Sequence, residues 1–266
     1  MTAFEPIAMD FAGAGDGRTR ALGLLLLSMA DDEFVIGFSD SEWTGIGPIL
    51  EEDVAISSLA QDELGHAQAL YRLLADLLDD GRDADAIAYD RPPEGYLHAR
   101  LLDHPRGDWA ATIARRWLYE TADEARLAAL AASSHEPLRE LVAKLRREER
   151  YHRMHVTAWV DRLARSDGEA RSRLERALGD LASDAASVFT PLESEASLLH
   201  AGILSRSLAE AEAEWRSDVT EVLASVGLTR SLDPSSPDGR WGHSDAFGWL
   251  WGEFTSVRRS EPAATW

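Results

Sequence analysis

Glu63-Leu64-Gly65-His66 and Glu149-Arg150-Tyr151-His152 repeat one spacing, a carboxylate followed three residues later by an imidazole. On a helix, residues three apart share a face, so each pair presents both side chains to the same side. A single glutamate lies about 30 residues ahead of each pair, Glu33 before the first and Glu120 before the second. One Glu from each of two helices, with a Glu-x-x-His pair from each of two others, is the ligand set of di-iron and di-manganese carboxylate four-helix bundles. With 23 glutamates and 8 histidines in 266 residues, about 0.7 such pairs arise by chance, so one alone would say little. Two, each with its upstream glutamate, say much more.

The chain breaks between these residues support the same reading. Gly45-Ile46-Gly47-Pro48 lies about 13 residues after Glu33 and about 17 before Glu63. Ser133-Ser134-His135-Glu136-Pro137 lies about 15 after Glu120 and about 14 before Glu149. At a rise of about 1.5 Å per residue, each glutamate of an antiparallel hairpin falls within roughly one turn of its partner motif in height. Two hairpins can therefore deliver four ligand sets to one level of a bundle.

Glutamate most often ends on a solvated face, and helical phase tests that alternative. Positions 56, 59, 60, 67 and 70 around Glu63 are Ile, Leu, Ala, Ala and Leu. Around Glu149, positions 142, 145, 156 and 159 are Val, Leu, Val and Trp; around Glu120, positions 113, 117, 127 and 130 are Ile, Trp, Leu and Leu. The acids lie on apolar stripes. Buried and unpaired, they would cost several kcal/mol each, which two metal ions would offset. The candidate ligands are Glu33, Glu63, His66, Glu120, Glu149 and His152. Asp31 and Asp32 compete with Glu33, and Glu148 with Glu149. His155 is read as a core or supporting group. Asp62 and Glu148 are either surface charges or acceptors for the ligand imidazoles' free N–H groups.

There is no cysteine, which excludes disulfides, thiolate catalysis and iron–sulfur ligation and leaves oxygen and nitrogen donors suited to iron or manganese. A formal charge of −20 opposes nucleic acid or an anionic membrane as partner. Lys144 is the sole lysine among 27 basic residues; a salt-rich cytosol or a GC-rich genome each accounts for that bias. The apolar run from Leu22 to Ala30 sits behind acidic residues and is too short to cross a bilayer. It reads as buried helix, with a cytoplasmic location expected.

The expected organisation is all-α: one ferritin-like four-helix bundle over 1–266 with extra C-terminal helices. Residues 1–17 read as a loose arm. Helices are expected at about 18–40, 51–79, 106–133 and 137–166, with 80–105 as a long polar crossover rich in Gly and Pro. Short link, long crossover, short link is the ferritin-like connection pattern. Further helices are expected at about 168–188, 207–226 and 242–258. Trp241, Trp249, Trp251 and Trp266 crowd the last 26 residues. One or two of these are expected to pack in the core, and so dense an aromatic tail (239–266) also reads as a subunit interface, whose deletion would then disturb assembly more than the bundle.

The stretch from Ala30-Asp31-Asp32-Glu33 through Ser41-Glu42-Trp43-Thr44-Gly45, then Pro48-Ile49-Leu50-Glu51-Glu52-Asp53, resembles the phenylacetic acid catabolic protein family. The ending from Gly239-Arg240-Trp241 to Ala264-Thr265-Trp266 resembles the C-type subunits of that family's ring-1,2-phenylacetyl-CoA epoxidases. The resemblance implies a ferritin-like fold and a multicomponent di-iron monooxygenase. In such an assembly an A-type subunit binds two iron ions, a separate NADPH-dependent reductase supplies electrons, and dioxygen places an epoxide on the ring of an acyl-CoA. C-type subunits usually scaffold the A-type subunit and have lost metal ligands, whereas all six ligand positions are filled here. Three readings stand: a component that retains a metal centre, a structural subunit, and a rubrerythrin-like ferroxidase or peroxidase. No basic motif for CoA phosphates stands out, leaving scattered Arg115, Arg116 and Arg126 as candidates.

Overall fold

A computed structural model describes residues 17–193 and 195–261. The expected arm therefore lies outside the described residues except for Gly17, which opens the first helix; Trp266 also lies outside them. Every regular element among the described residues is helical. Two long hairpins build the frame. The first joins α1 (Gly17–Ser41) to α2 (Leu50–Leu78), and the second joins α4 (Trp109–Leu130) to α5 (Glu136–Ala164). Between them lies α3 (Ala84–Tyr89). After them come α6 (Glu169–Asp180), α7 (Glu195–His200), α8 (Leu208–Ser225), α9 (Asp245–Phe254) and α10 (Ser256–Ser260). The all-helical expectation and the two hairpins hold. The segment 168–188 is α-helical only to Asp180, with a 3-10 turn at Ser187–Phe189, and α3 and α7 were not expected.

Local chemistry sets the boundaries. Asp53, in the acidic first turn of α2, accepts from the amides of Gly45 and Gly47 at 3.0 and 3.2 Å, which ties the α1–α2 turn to the helix it starts. A Cβ on Gly47 would meet the Asp53 backbone at 2.8 Å, so only glycine fits there. Asp108 caps α4, and Ser207 with Glu210 forms a reciprocal capping box on α8.

α1 is buried almost all round, from Ala21 to Gly37, the pattern of a helix at the centre of a domain. Its acids are buried with its leucines, and other segments neutralise them. Asp31 accepts from the Tyr71 hydroxyl (2.6 Å), from Arg91 and from the Leu97 amide (2.6 Å). Asp32 accepts from Arg126, Arg240 and the Ala99 amide (2.7 Å).

These partners refine two expectations. The crossover is not a polar surface link: Arg91, Tyr96, Leu97, His98, Leu101 and Leu102 are buried, and two 3-10 turns, Pro93–Gly95 and Arg100–Asp103, follow α3. Its Gly and Pro residues break helical periodicity, while its donors turn inward to the acids of α1. The C-terminal segment is likewise part of the core. Arg240 is fully buried on Asp32, and Phe254 packs edge-on against Phe34 at 4.9 Å. Its deletion would therefore remove core, although Trp241 and Trp249 remain 50% and 56% exposed. His98 and His243 stack at 4.0 Å around Asp103 and pin the crossover to that same segment.

Candidate metal centre

All six candidate ligands are buried at one level of the bundle: Glu33 on α1, Glu63 and His66 on α2, Glu120 on α4, and Glu149 and His152 on α5. Gly37 lets α1 close onto α2 here, since a Cβ would meet Leu64 at 3.0 Å and the Glu63 Cβ at 3.2 Å. The six form two overlapping groups, Glu33–Glu63–His66–Glu149 and Glu63–Glu120–Glu149–His152. In the first, His66 Nδ1 lies 3.5 Å from Glu33 Oε2, 3.4 Å from Glu63 Oε2 and 3.1 Å from Glu149 Oε1. In the second, His152 Nδ1 lies 3.2 Å from Glu63 Oε1, 3.8 Å from Glu120 Oε1 and 3.5 Å from Glu149 Oε2. Glu63 and Glu149 each turn one oxygen to each group, the arrangement of bridging carboxylates.

The donor set fits a pair of cations. Glu33 Oε2, Glu63 Oε2, both oxygens of Glu120 and Glu149, and Nδ1 of both histidines are buried and turned inward, facing chiefly one another, with Arg116 beside Glu120 Oε1. Buried polar atoms are nearly always satisfied, so this many acidic and imidazole donors converging at one point could hold cations. The outward imidazole nitrogens are paired across helices: His66 Nε2 with Glu148 at 2.8 Å, and His152 Nε2 with Asp62 at 3.2 Å. With a metal bound, a proton kept on Nε2 by these carboxylates would leave Nδ1 free to face the ion. Both sit toward solvent, with side chains 40% and 54% exposed. His155 lies beside Glu52 at 3.1 Å.

Two further groups enter that the sequence reading did not place at the centre. The Tyr119 hydroxyl donates to Glu33 Oε1 at 2.9 Å. Arg116, fully buried, reaches Glu63 Oε1, Glu120 Oε1 at 2.8 Å and Asp40 Oδ2 at 2.6 Å. The only sequence trace of Arg116 is its place four residues before Glu120, on the same face of α4. This also corrects the expectation for CoA. Arg115 is buried on Asp40, and Arg126 on Asp32 and Asp123, so all three arginines serve internal acids rather than a phosphate.

Without metal, the charges oppose one another. Burial, then the Glu63 charge, pushes the Glu33 carboxyl well up; burial and Glu149 do the same to Glu120. Burial also pushes Glu63 up, but the Arg116 guanidinium overrides it and holds this carboxyl well below its usual range. Glu149, raised by burial and by Glu63, is brought down to about 2 by hydrogen bonds from Glu120 and both imidazoles. Burial lowers His152, but Glu149 and Glu63 outweigh it and raise the imidazole from 6.5 to about 9.

That last shift carries a stability consequence. A raised histidine contributes stability that is fully present below its unfolded pKa and is lost as pH rises through the folded one. Metal-free protein is therefore expected to lose roughly 3 kcal/mol from this group between pH 6.5 and 9. Thermal melts across that range check it. A metal-free melting temperature that stays level or climbs would show that His152 is not held by the acids, and bound metal should flatten the dependence by occupying Nδ1.

Comparison with known proteins places the chain in a family. The sequence model of the family described as "Phenylacetic acid catabolic protein" matches residues 9–266. Over 243 residues the chain is 27% identical to the C-type subunit of 1,2-phenylacetyl-CoA epoxidase from Escherichia coli (strain K12), covering 90% of this chain and 97% of that protein. A match over nearly its whole length, on an all-helical frame with a buried carboxylate–imidazole cluster, assigns this chain to the phenylacetic acid catabolic protein family.

Proposed function

We propose that this chain is a subunit of a multicomponent monooxygenase of the phenylacetyl-CoA epoxidase type, acting in aerobic phenylacetate catabolism. Similarity to a C-type epoxidase subunit across nearly the full length of both chains carries this reading, and the buried donor set supports it. Two iron ions, or manganese in their place, held by Glu33, Glu63, His66, Glu120, Glu149 and His152, would supply the redox steps that dioxygen requires. The chain's own residues do the rest of the local work. Glu63 and Glu149 join the two halves, Asp62 and Glu148 orient the imidazoles, and the leucine-rich α1 keeps water from the centre.

The partners of this reading are an A-type oxygenase subunit, an NADPH-dependent reductase and an acyl-CoA, with the whole chain acting as one domain in the cytoplasm. Ile46, Ile49, Leu50 and Val54 leave apolar surface exposed around the α1–α2 turn, as interfaces between protein chains often do. Among the described residues no helix is long and apolar enough to cross a membrane.

A second reading, a structural subunit beside a catalytic A-type chain, is favoured by one observation: the guanidinium of Arg116 already lies against Glu63 and Glu120. Elemental analysis of the protein expressed alone in iron-supplemented medium separates the two. About two irons per chain are expected for an intact centre; absence of metal would leave only the structural role.

A further inference from the structure

The two halves of the centre are not equivalent. In the half made by Glu33, Glu63, His66 and Glu149, the four inward atoms (Glu33 Oε2, Glu63 Oε2, His66 Nδ1 and Glu149 Oε1) are buried and accept no hydrogen bond from a guanidinium. In the other half, Nη2 of Arg116 lies against two of the four inward atoms, Glu63 Oε1 and Glu120 Oε1. A guanidinium does not give up its proton in a protein, so this half already holds one positive charge. The side chain is placed firmly: it leaves α4 one turn before Glu120, and its Nη1 donates to Asp40 Oδ2 at 2.6 Å. Asp40 also accepts from Arg115 at 3.0 Å, so one carboxylate answers two guanidinium groups and the surplus positive charge is turned toward the centre.

We propose that Arg116 is a resident cation in the Glu63–Glu120–Glu149–His152 half. Metal ions then load in order, the first into the Glu33–Glu63–His66–Glu149 half and the second only as the guanidinium withdraws from Glu63 and Glu120 toward Asp40. The inference rests on the metal-centre reading above and adds an order to it. Arg116 is a positioning residue that sets the affinity of one half, while the other half holds only the His66 imidazole, which can give up its proton to an incoming ion as a guanidinium cannot. Like charges at ligand distance repel strongly in a dry interior, so the second ion must displace the guanidinium rather than share the oxygens with it.

The experiment is a titration of full-length, metal-stripped protein with Mn(II), followed by electron paramagnetic resonance and by calorimetry. In the wild type, the first equivalent is expected to give an uncoupled mononuclear signal, and the second to bind about tenfold more weakly or worse, with exchange coupling appearing only then. In Arg116→Met, or Arg116→Gln should the first variant not fold, the two affinities should converge and the coupled signal should grow from the first additions. A coupled pair forming from the outset in the wild type overturns the proposal, as does an unchanged separation in a folded variant. The wild-type titration decides the order even if neither variant folds. Failure to bind Mn(II) in either half would instead overturn the metal-centre reading, and the loading order with it.

Discussion

Replacing Asp32 with alanine is expected to cost more stability than any other single change outside the apolar core. Asp32 is fully buried and gathers two guanidinium groups from distant parts of the chain. Arg240 donates to both its oxygens at 2.9 Å, Arg126 approaches at 2.5 Å, and the Ala99 amide completes the set at 2.7 Å. Burial alone would raise its pKa, but Arg240 and then Arg126 outweigh burial and hold it below the usual value. Its contribution is thus present above the unfolded pKa and lost as pH falls through the lower folded one. Without the carboxylate, Arg126 keeps Asp123, whereas Arg240 keeps, among the described residues, the carbonyls of Leu97 and Val188. Removing one partner of a buried pair costs about 3–5 kcal/mol, a large share of a total stability of about 5–15 kcal/mol. Denaturant unfolding followed by circular dichroism measures it. A loss below about 1 kcal/mol, the scale of an exposed pair, would mean that water reaches this network.

The double substitution Glu63→Ala, His66→Ala is expected to empty both halves of the centre and to abolish turnover in the reconstituted complex. Glu63 turns one oxygen to each imidazole, so its loss takes a donor from each ion, while His66 is the nitrogen donor of the first half. Glu33→Ala and Glu120→Ala should each weaken one half only, because each faces a single imidazole. Metal content by elemental analysis tests the ligand assignment, and phenylacetyl-CoA turnover with an A-type subunit, reductase and dioxygen tests the role. Turnover that survives while metal is lost would make this chain structural. Retention of two ions by the double variant would remove these residues from the site altogether.

The spacing along single helices carried a great deal. Each Glu-x-x-His pair shares a face whatever the rest of the chain does, because three residues on an α-helix turn the side chains to nearly the same direction. The lengths of the two hairpins brought Glu33 and Glu120 to the level of the pairs, and the apolar residues around them foretold burial. Asp62 and Glu148 were legible only as one of two alternatives, since the residue before a ligand glutamate points along the flank of the same helix, where a surface charge fits as well as an acceptor. They proved to serve each other's helix: Asp62 pairs with His152 and Glu148 with His66.

What the sequence determined by itself, then, was the helical frame and the six inward side chains, because both depend on periodicity within segments. Only the tertiary structure decided which charges meet. Arg240 reaches Asp32 across 208 positions, and Leu97 and Ala99 give their amides to α1 from a crossover that reads as loop. Arg116 enters the centre through contacts with α1 and α2 that no spacing on α4 encodes. An ion pair is chosen by distance in space and by burial, and neither is a periodic function of position along the chain.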